Sequence, residues 1–498
     1  MNLPMRLRVL FLSAEADPLV KVGGLGDVSG ALPQALTLIP PIPSLSGTGK
    51  GVLDIRLVIP FHSVIRKELF DLRRVAHFSV PHASGPIPAE VYATDLRGVP
   101  VYMISGPPFA SDQPVYTGNP AIDGHKYVFF SLAALELARA LHWQPHIVHA
   151  NDWHTASAIY SLAINHPSDA FYKYTSTLLT LHNLPFLGAG MGPSLEAFGL
   201  PPALDFHLPE WAQHLPLPLG LLAAHHIVTV SPTYAQEINT PEFGMGLHEF
   251  LQTRSGAITG ILNGIDTVLW DPANDPNLAS CYSTADLPAR QPNKAALQKE
   301  FGLEINPQRP ILAIISRMDY QKGIDLAIEA LRQIILSERS STPNIQAIIL
   351  GTGHAELEES ARQLEENFPG PVRAVTRYDA RLSRRILAGA DAVLIPSRYE
   401  PCGLTQMLGL RYGCVPIGRS TGGLRDTIRD HRNSKVSTGF LFDEATPEAL
   451  VRTIHKALEV FSNPAAWQAL QLRGMKQDLS WERSAREYLK LYQVMVQK

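Results

Sequence analysis

Cysteine is scarce: the 498 residues contain three, Cys281, Cys402 and Cys414. Three cannot build a disulfide framework, and their spacing pairs none of them as metal ligands. That usage fits a reducing cytosol. Excess charge is also missing, since 43 Lys and Arg face 46 Asp and Glu for a net charge of −3. A balance this even gives no reason to expect nucleic acid or a charged membrane surface, so any basic site must be local. No apolar run approaches the ~18–20 residues of a membrane span. Met1 to Leu12 is apolar but short, and reads as a strand rather than a signal peptide. Several motifs are absent or incomplete. Gly24 and Gly26 are followed by Ser29, which breaks a Gly-x-Gly-x-x-Gly fingerprint. Gly47-Thr48-Gly49-Lys50-Gly51 lacks the spacing and the Ser/Thr of a P-loop, and no His-Glu-x-x-His occurs.

What is present describes a globular protein, with 45% hydrophobic and 18% charged residues. The length exceeds one core, so two domains are the default. Buried-strand patterns recur at 6–13, 55–60, 101–105, 147–150, 178–182 and 227–231. Helical patterns lie between several of them, notably 129–141. A second alternating series follows at 311–316, 347–350, 372–376, 392–395 and 415–417, with helices at 325–336, 355–368 and 381–388. Such alternation predicts doubly wound parallel sheets. Residues 40–51, rich in Pro, Gly and Ser, read as an exposed loop. The stretch 254–276 changes character, and the junction is placed there. The prediction is an N-terminal Rossmann-like domain over 1–262, a C-terminal one over 263–478, and a helix in 479–498 that crosses back. Two such halves create a cleft, where pockets are favoured.

Three constellations sit at predicted strand ends, where open parallel sheets bind ligands. The first runs from Lys21 through Gly23, Gly24 and Gly26 to Val28. Its glycines let backbone approach a ligand, and the following helix offers N–H groups to an anion. The same glycines would equally serve to pack helix on strand. In the second, Arg317 and Lys322 follow the first strand of the second half, and could converge on a diphosphate or simply open a solvent-facing helix. The third joins His149, Asn151, Asp152 and His154 to His182 and Asn183, polar groups suited to sugar or nucleotide hydroxyls. Asn263-Gly264 is either a hinge turn or a cleft-facing amide.

A fourth stretch, Pro396 to Gln406, places Glu400 in a turn before a helix over 405–411. There the N–H groups of Gly403, Leu404 and Thr405 would face a negative ligand; alternatively Glu400 only caps the turn. Further on, Gly418 to Gly422 matches Gly-x-Ser-x-Gly, with Asp443 and His455 following in hydrolase order. Thr421-Gly422-Gly423-Leu424 reads equally well as a glycine loop receiving phosphate, and a single five-residue match is weak.

Together these blocks resemble the bacterial glycogen synthase and plant starch synthase family, retaining glucosyltransferases of the GT-B fold. The matching segments run in order from Lys21–Val28 through His149–His154, His182-Asn183, Ser231–Ala235 and Gly260–Asp266. They continue through Arg317–Gly323, Tyr378-Asp379, Pro396–Gln406 and Thr421–Leu424 to Trp481. The resemblance implies glucose transfer from ADP-glucose to the non-reducing 4-hydroxyl of an α-1,4-glucan, without a metal or other cofactor, in the cytoplasm. By position, Glu400, His154, Arg317 and Lys322 would be catalytic. Lys21, Gly23, Gly24, Asn263, Tyr378, Cys402, Gly403, Leu404, Thr405, Gly422 and Gly423 would bind the donor. Asp152, His182 and Asn183 are acceptor or sugar-side candidates. Arg317 and Lys322 would hold the diphosphate, Glu400 the sugar hydroxyls, and Tyr378 would stack on the base.

The chain departs from the family pattern in places. Where Asp-Asn-x-x-Arg-Phe is usual, it has Ile122-Asp123-Gly124-His125-Lys126-Tyr127. Ala380-Arg381 replaces a common Glu-Ala, and Leu408 stands where related transferases carry a second Glu. These changes leave UDP-glucose, another acceptor, or an inactive glucan-binding homologue as alternatives.

Overall fold

The computed structural model describes residues 6–40, 53–109, 113–165, 168–337, 345–433 and 435–497. Most of the predicted loop at 40–51 and the glycine-lysine run at 47–51 lie outside them. Two compact units form: Met1–Gly264 with Trp481–Lys498, and Ile265–Ser480.

The first unit is built on β1 (Leu7–Leu12), β2 (Leu53–Pro60), β3 (Arg73–Val80), β4 (Ile87–Leu96), β5 (Val99–Ser105), β6 (Ile147–Asn151), β7 (Ser176–Leu181), β8 (His226–Thr229) and β9 (Ile258–Gly260). Their order is β3-β4-β5-β2-β1-β6-β7-β8-β9. The sheet is parallel apart from β3-β4-β5, which pair antiparallel at one edge. That edge departs from the wholly parallel expectation. β4 and β5 are joined through Arg97 and Gly98, both at positive φ, the geometry of a tight hairpin. Asp95 Oδ1 fixes the turn by accepting the Gly98 N–H at 2.7 Å.

Helix boundaries follow the caps. The helix expected from 129 begins nine residues earlier and spans Pro120–Ala140, because Asn119 caps it and Pro120 opens it. Ser231, expected to end a strand, is instead the N-cap of Pro232–Glu237, accepting the Tyr234 N–H at 3.2 Å. The last helix, Trp481–Val496, buries Trp481, Ala485, Tyr488, Leu489 and Tyr492 in the core formed by β1, β2 and Gly24–Thr37. Ser484 Oγ donates to Leu262 O at 2.5 Å, which fastens the start of that helix.

The second unit carries β10 (Ile311–Ile315), β11 (Gln346–Leu350), β12 (Val372–Val375), β13 (Ala392–Ile395), β14 (Val415–Arg419) and β15 (Phe440–Phe442). All pair parallel in the order β12-β11-β10-β13-β14-β15. Alternate residues serve opposite faces. Leu312, Ile314, Ile349 and Leu394 enter one core, whereas Ile311, Ala313, Ile348 and Val393 enter the other. A sheet covered on both faces explains why its strands read as continuous apolar runs.

Candidate active site

Strand order decides where the functional side chains meet. In the second unit the chain winds from β10 outward to β11 and β12, then returns to the other side of β10 with β13. Such a reversal opens a crevice at the strand ends. The loop after β10 carries Arg317 and Lys322, and the loop after β13 carries Glu400. Lys322 Nζ lies 2.8 and 2.7 Å from the two Glu400 oxygens, and Ser397 Oγ donates to Oε2 at 2.9 Å. Lys322 is therefore the partner of Glu400 rather than an isolated cation.

Backbone contacts lock the two loops. Arg398 N donates to Gln321 O at 2.8 Å, and the Arg398 guanidinium reaches both Asp325 oxygens at 2.8 and 2.7 Å. Gly323 has φ +66°, and a Cβ there would stand 2.1 Å from Pro396 O. Only glycine permits that approach, so Gly323 sets the depth at which Lys322 enters. Arg317 is different. Its side chain is 63% exposed and, among the described residues, forms its ion pair with Asp319 at 3.2 Å, which leaves it able to reach an anion in solvent.

Gly422 and Gly423 open the helix Gly422–Thr427 after β14, the neighbour of β13. Gly423 donates its N–H to Glu400 O at 3.0 Å, and a Cβ on it would come within 1.9 Å of Cys402 O. The phosphate-loop reading of Gly423 is corrected accordingly: its N–H is spent on holding the Glu400 loop. Ser420 gives its N–H to Phe442 O at 2.7 Å, and His455 is exposed on the helix Pro447–Phe461. Nothing there assembles a hydrolase triad. Gln406, which motif reading passed over, donates to Cys402 O and Gly403 O, each at 2.9 Å, and so ties the turn to its helix. Leu404 and Thr405 stand at the first turn of Thr405–Arg411, where backbone N–H groups lack intrahelical partners. Tyr378, beyond edge strand β12, presents a ring on a residue 78% exposed. Its neighbour Asp379 caps the next helix through the Leu382 N–H at 2.9 Å.

The first unit has its own reversal, between β1 and β6. Lys21 follows β1 and pairs with Asp27 at 2.5 Å. Burial pushes the Asp27 carboxyl upward against the attraction of Lys21. The N–H groups of Val22 and Gly23 both point at Glu15 Oε2, at 2.5 and 3.0 Å. Gly23 is thus not a free anion donor as expected, whereas a Cβ on Gly24 would meet open space. Glu15 itself carried no motif signal.

Beyond β6, Asp152 adopts φ +56° and accepts the His182 N–H at 2.7 Å. Burial raises its carboxyl to about 7, opposed by the N–H groups of His182 and Asn183. His182 Nε2 lies 2.9 Å from Asn151 Oδ1, and burial lowers its imidazole to about 3. His154 packs against Trp153, Tyr127 and Tyr116, with centroids at 3.9, 4.9 and 5.0 Å. Burial holds it neutral, well below the ordinary histidine range. His154 Nδ1, Asn183 Oδ1 and Asn263 Oδ1 are buried without a protein hydrogen-bond partner. Buried polar groups generally find a partner, so these three atoms are open to completion by water or by a ligand. His149 does not join them. Its nitrogens contact Tyr492 OH and Thr180 Oγ1, each at 2.7 Å, and anchor the last helix. Among the described residues no group of three or more His, Cys, Asp and Glu is placed to hold a metal ion, and no helix is long and apolar enough to cross a membrane.

Comparison with known proteins bears on this geometry. Residues 8–253 match the starch synthase catalytic domain, and residues 297–468 match glycosyl transferases group 1. A glycogen synthase of Thioalkalivibrio sulfidiphilus is 39% identical over 98% of this chain and 100% of its own length. The chain belongs to the glycogen and starch synthase family of glycosyltransferases. A glycogen synthase of Thermotoga petrophila is 36% identical over 99% of both chains. The catalytic domain of starch synthase IV from Arabidopsis thaliana, bound to ADP and acarbose, superposes with a TM-score of 0.85. It is 30% identical, over 99% of this chain and 100% of that one. Membership in the synthase family agrees with the two α/β units and with the GT-B fold class expected from the motifs.

Proposed function

We propose that this glycogen synthase family member transfers glucose from ADP-glucose, with retention, to the non-reducing 4-hydroxyl of an α-1,4-glucan. The observation that carries the reading is the Lys322–Glu400–Ser397 cluster at the reversal of the second sheet. A buried carboxylate held there is placed to bind donor-sugar hydroxyls and to meet positive charge developing at the anomeric carbon. Arg317 and Lys322 supply the cations that offset the departing diphosphate, so the chemistry is assigned to side chains rather than to a resident metal. The N–H groups of Gly403, Leu404 and Thr405, beside Cys402, add fixed dipoles, and Tyr378 offers its ring to the base.

In the first unit, Lys21 and Gly24 form the proposed phosphate-facing turn. His154 and Asn263 bring unsatisfied polar atoms suited to sugar hydroxyls. Asn183 is assigned to the sugar side on the same ground, with Asp152 and His182 shaping its backbone. The low cysteine usage of the chain, three in 498 residues, supports a cytoplasmic setting. The choice of ADP over UDP rests on the likeness to a starch synthase bound to ADP.

The test is incubation with glycogen and labelled ADP-glucose, beside labelled UDP-glucose, with label counted in polymer. Incorporation from ADP-glucose at a clearly higher rate is expected. Preferential use of UDP-glucose overturns the donor assignment, and no incorporation from either overturns the activity.

A further inference from the structure

We propose that Glu15 is the positioning residue that holds the Lys21–Gly24 turn in its donor-binding shape, with Tyr116 as its second anchor. The inference rests on the donor reading given above. Glu15 is 2% exposed and lies beyond the end of β1. Oε2 accepts the Val22 and Gly23 N–H groups at 2.5 and 3.0 Å, and Oε1 accepts the Tyr116 O–H at 2.5 Å. Three donors thus converge on one buried carboxylate, an arrangement with short, strong hydrogen bonds. Burial, followed by the charge of Glu15, holds the Tyr116 phenol well above its ordinary range, so it remains a donor.

The grip extends in both directions. A Cβ on Gly26 would stand 3.1 Å from Glu15 Oε2, so the glycine at that position leaves room for the carboxylate. Tyr116 sits in a strap fixed at each side. Lys126 Nζ donates to Val115 O at 2.6 Å and to Pro114 O at 3.2 Å. Asp123 accepts the N–H groups of Thr117 and Gly118 at 3.0 and 3.1 Å. The residues that depart from the family pattern therefore brace this strap, and Tyr116 packs at 5.0 Å against His154. One carboxylate couples the wall beside His154 to the glycine turn.

An amide replaces it only in part. The Gln oxygen can accept the Val22 and Gly23 N–H groups and its NH₂ can donate to the Tyr116 oxygen, but the charge that strengthens all three bonds is lost. In the full chain, E15Q is expected to raise the KM for ADP-glucose and the Kd for ADP by about ten-fold, the effect of turning three charge-assisted hydrogen bonds into neutral ones. The KM for glycogen should stay unchanged, which a general loss of structure would not produce. Y116F, which deletes one O–H, should shift donor KM and ADP Kd in the same direction but less. If E15Q does not fold, Y116F decides, and an unchanged ADP Kd in that variant overturns the proposal. A folded E15Q with parental donor KM and ADP Kd also overturns it, while leaving the synthase reading intact. A parent chain that neither binds ADP nor transfers glucose overturns both.

Discussion

Lys322 and Glu400, 78 positions apart, are joined by two hydrogen bonds of 2.8 and 2.7 Å between one ammonium and both oxygens of one carboxylate. The carboxylate side chain is 6% exposed and the ammonium side chain 20%. The pair sits where β10 and β13 run side by side and the winding of the sheet reverses. Glu400 is therefore held rigidly against the strand ends, whereas a general base would need freedom to exchange protons with substrate and water.

Replacing Glu400 by Gln should lower kcat by at least about 100-fold, the usual scale for removing a preorganised charge from a reacting centre. ADP affinity should change little, because the partner assigned to Glu400 is the sugar and not the nucleotide. Steady-state kinetics with an ADP titration by calorimetry separates the two. A Kd that rises as much as kcat falls would move Glu400 to nucleotide binding.

Lys322 and Arg317 should respond differently, although both were read as diphosphate ligands. Lys322→Ala leaves the Glu400 carboxylate with only the Ser397 hydroxyl among the described side chains. The expected cost is about 1–3 kcal/mol of stability, visible as a lower melting temperature, together with slower transfer and a higher donor KM. Arg317→Ala removes an exposed side chain whose ion pair with Asp319 contributes little. It should raise donor KM at unchanged melting temperature. Equal melting losses in the two variants would refute the distinction.

Much of this was legible in the chain itself, and the reasons for the gaps are physical. Strands β10, β11, β13 and β14 read clearly because both faces of their sheet are covered. β3 did not: Arg73-Arg74 and alternating exposure make it an edge strand with little apolar content. The glycines and cations at strand ends pointed to the reversals in winding. Pairings across long separations did not show. Glu15 has no neighbouring motif and acts on Val22 and Gly23 only once the turn folds. His149 looked like a member of the polar cluster, yet its partner Tyr492 lies 343 positions away.

That last contact gives a control. Tyr492→Phe leaves His149 Nδ1 unpaired in a fully buried position, at a cost of about 1–3 kcal/mol. The melting temperature should fall while donor KM stays at the parental value. A raised donor KM without destabilisation would return His149 to the site.

Acid should unfold the first unit before the second. His62 and His182 are lowered by burial to about 4 and about 3, and His149 and His154 lie well below their ordinary value of 6.5. Each is neutral when folded and takes a proton on unfolding below that value. Their contribution is complete above pH 6.5 and is lost as pH falls through the window from 6.5 to about 4, by up to ~1.4 kcal/mol per group per pH unit. Asp152, raised to about 7, and Asp27, raised from 3.8, act in the opposite sense, since acidification relieves their buried charge. Four imidazoles outweigh two carboxyls, and all six groups belong to the first unit. In the second unit, Asp275, Asp325 and Asp379 are lowered from 3.8, Asp275 and Asp325 with burial opposing their hydrogen bonds, Asp379 chiefly by the Leu382 N–H. Their contribution is lost only below 3.8, outside the histidine window. Hydrogen exchange at pH 7.5 and 5.0 should therefore show protection falling in β1, β6 and β7 while β10, β11 and β13 keep theirs. Simultaneous loss in both sheets, or earlier loss in the second, would show that these histidines do not control acid stability.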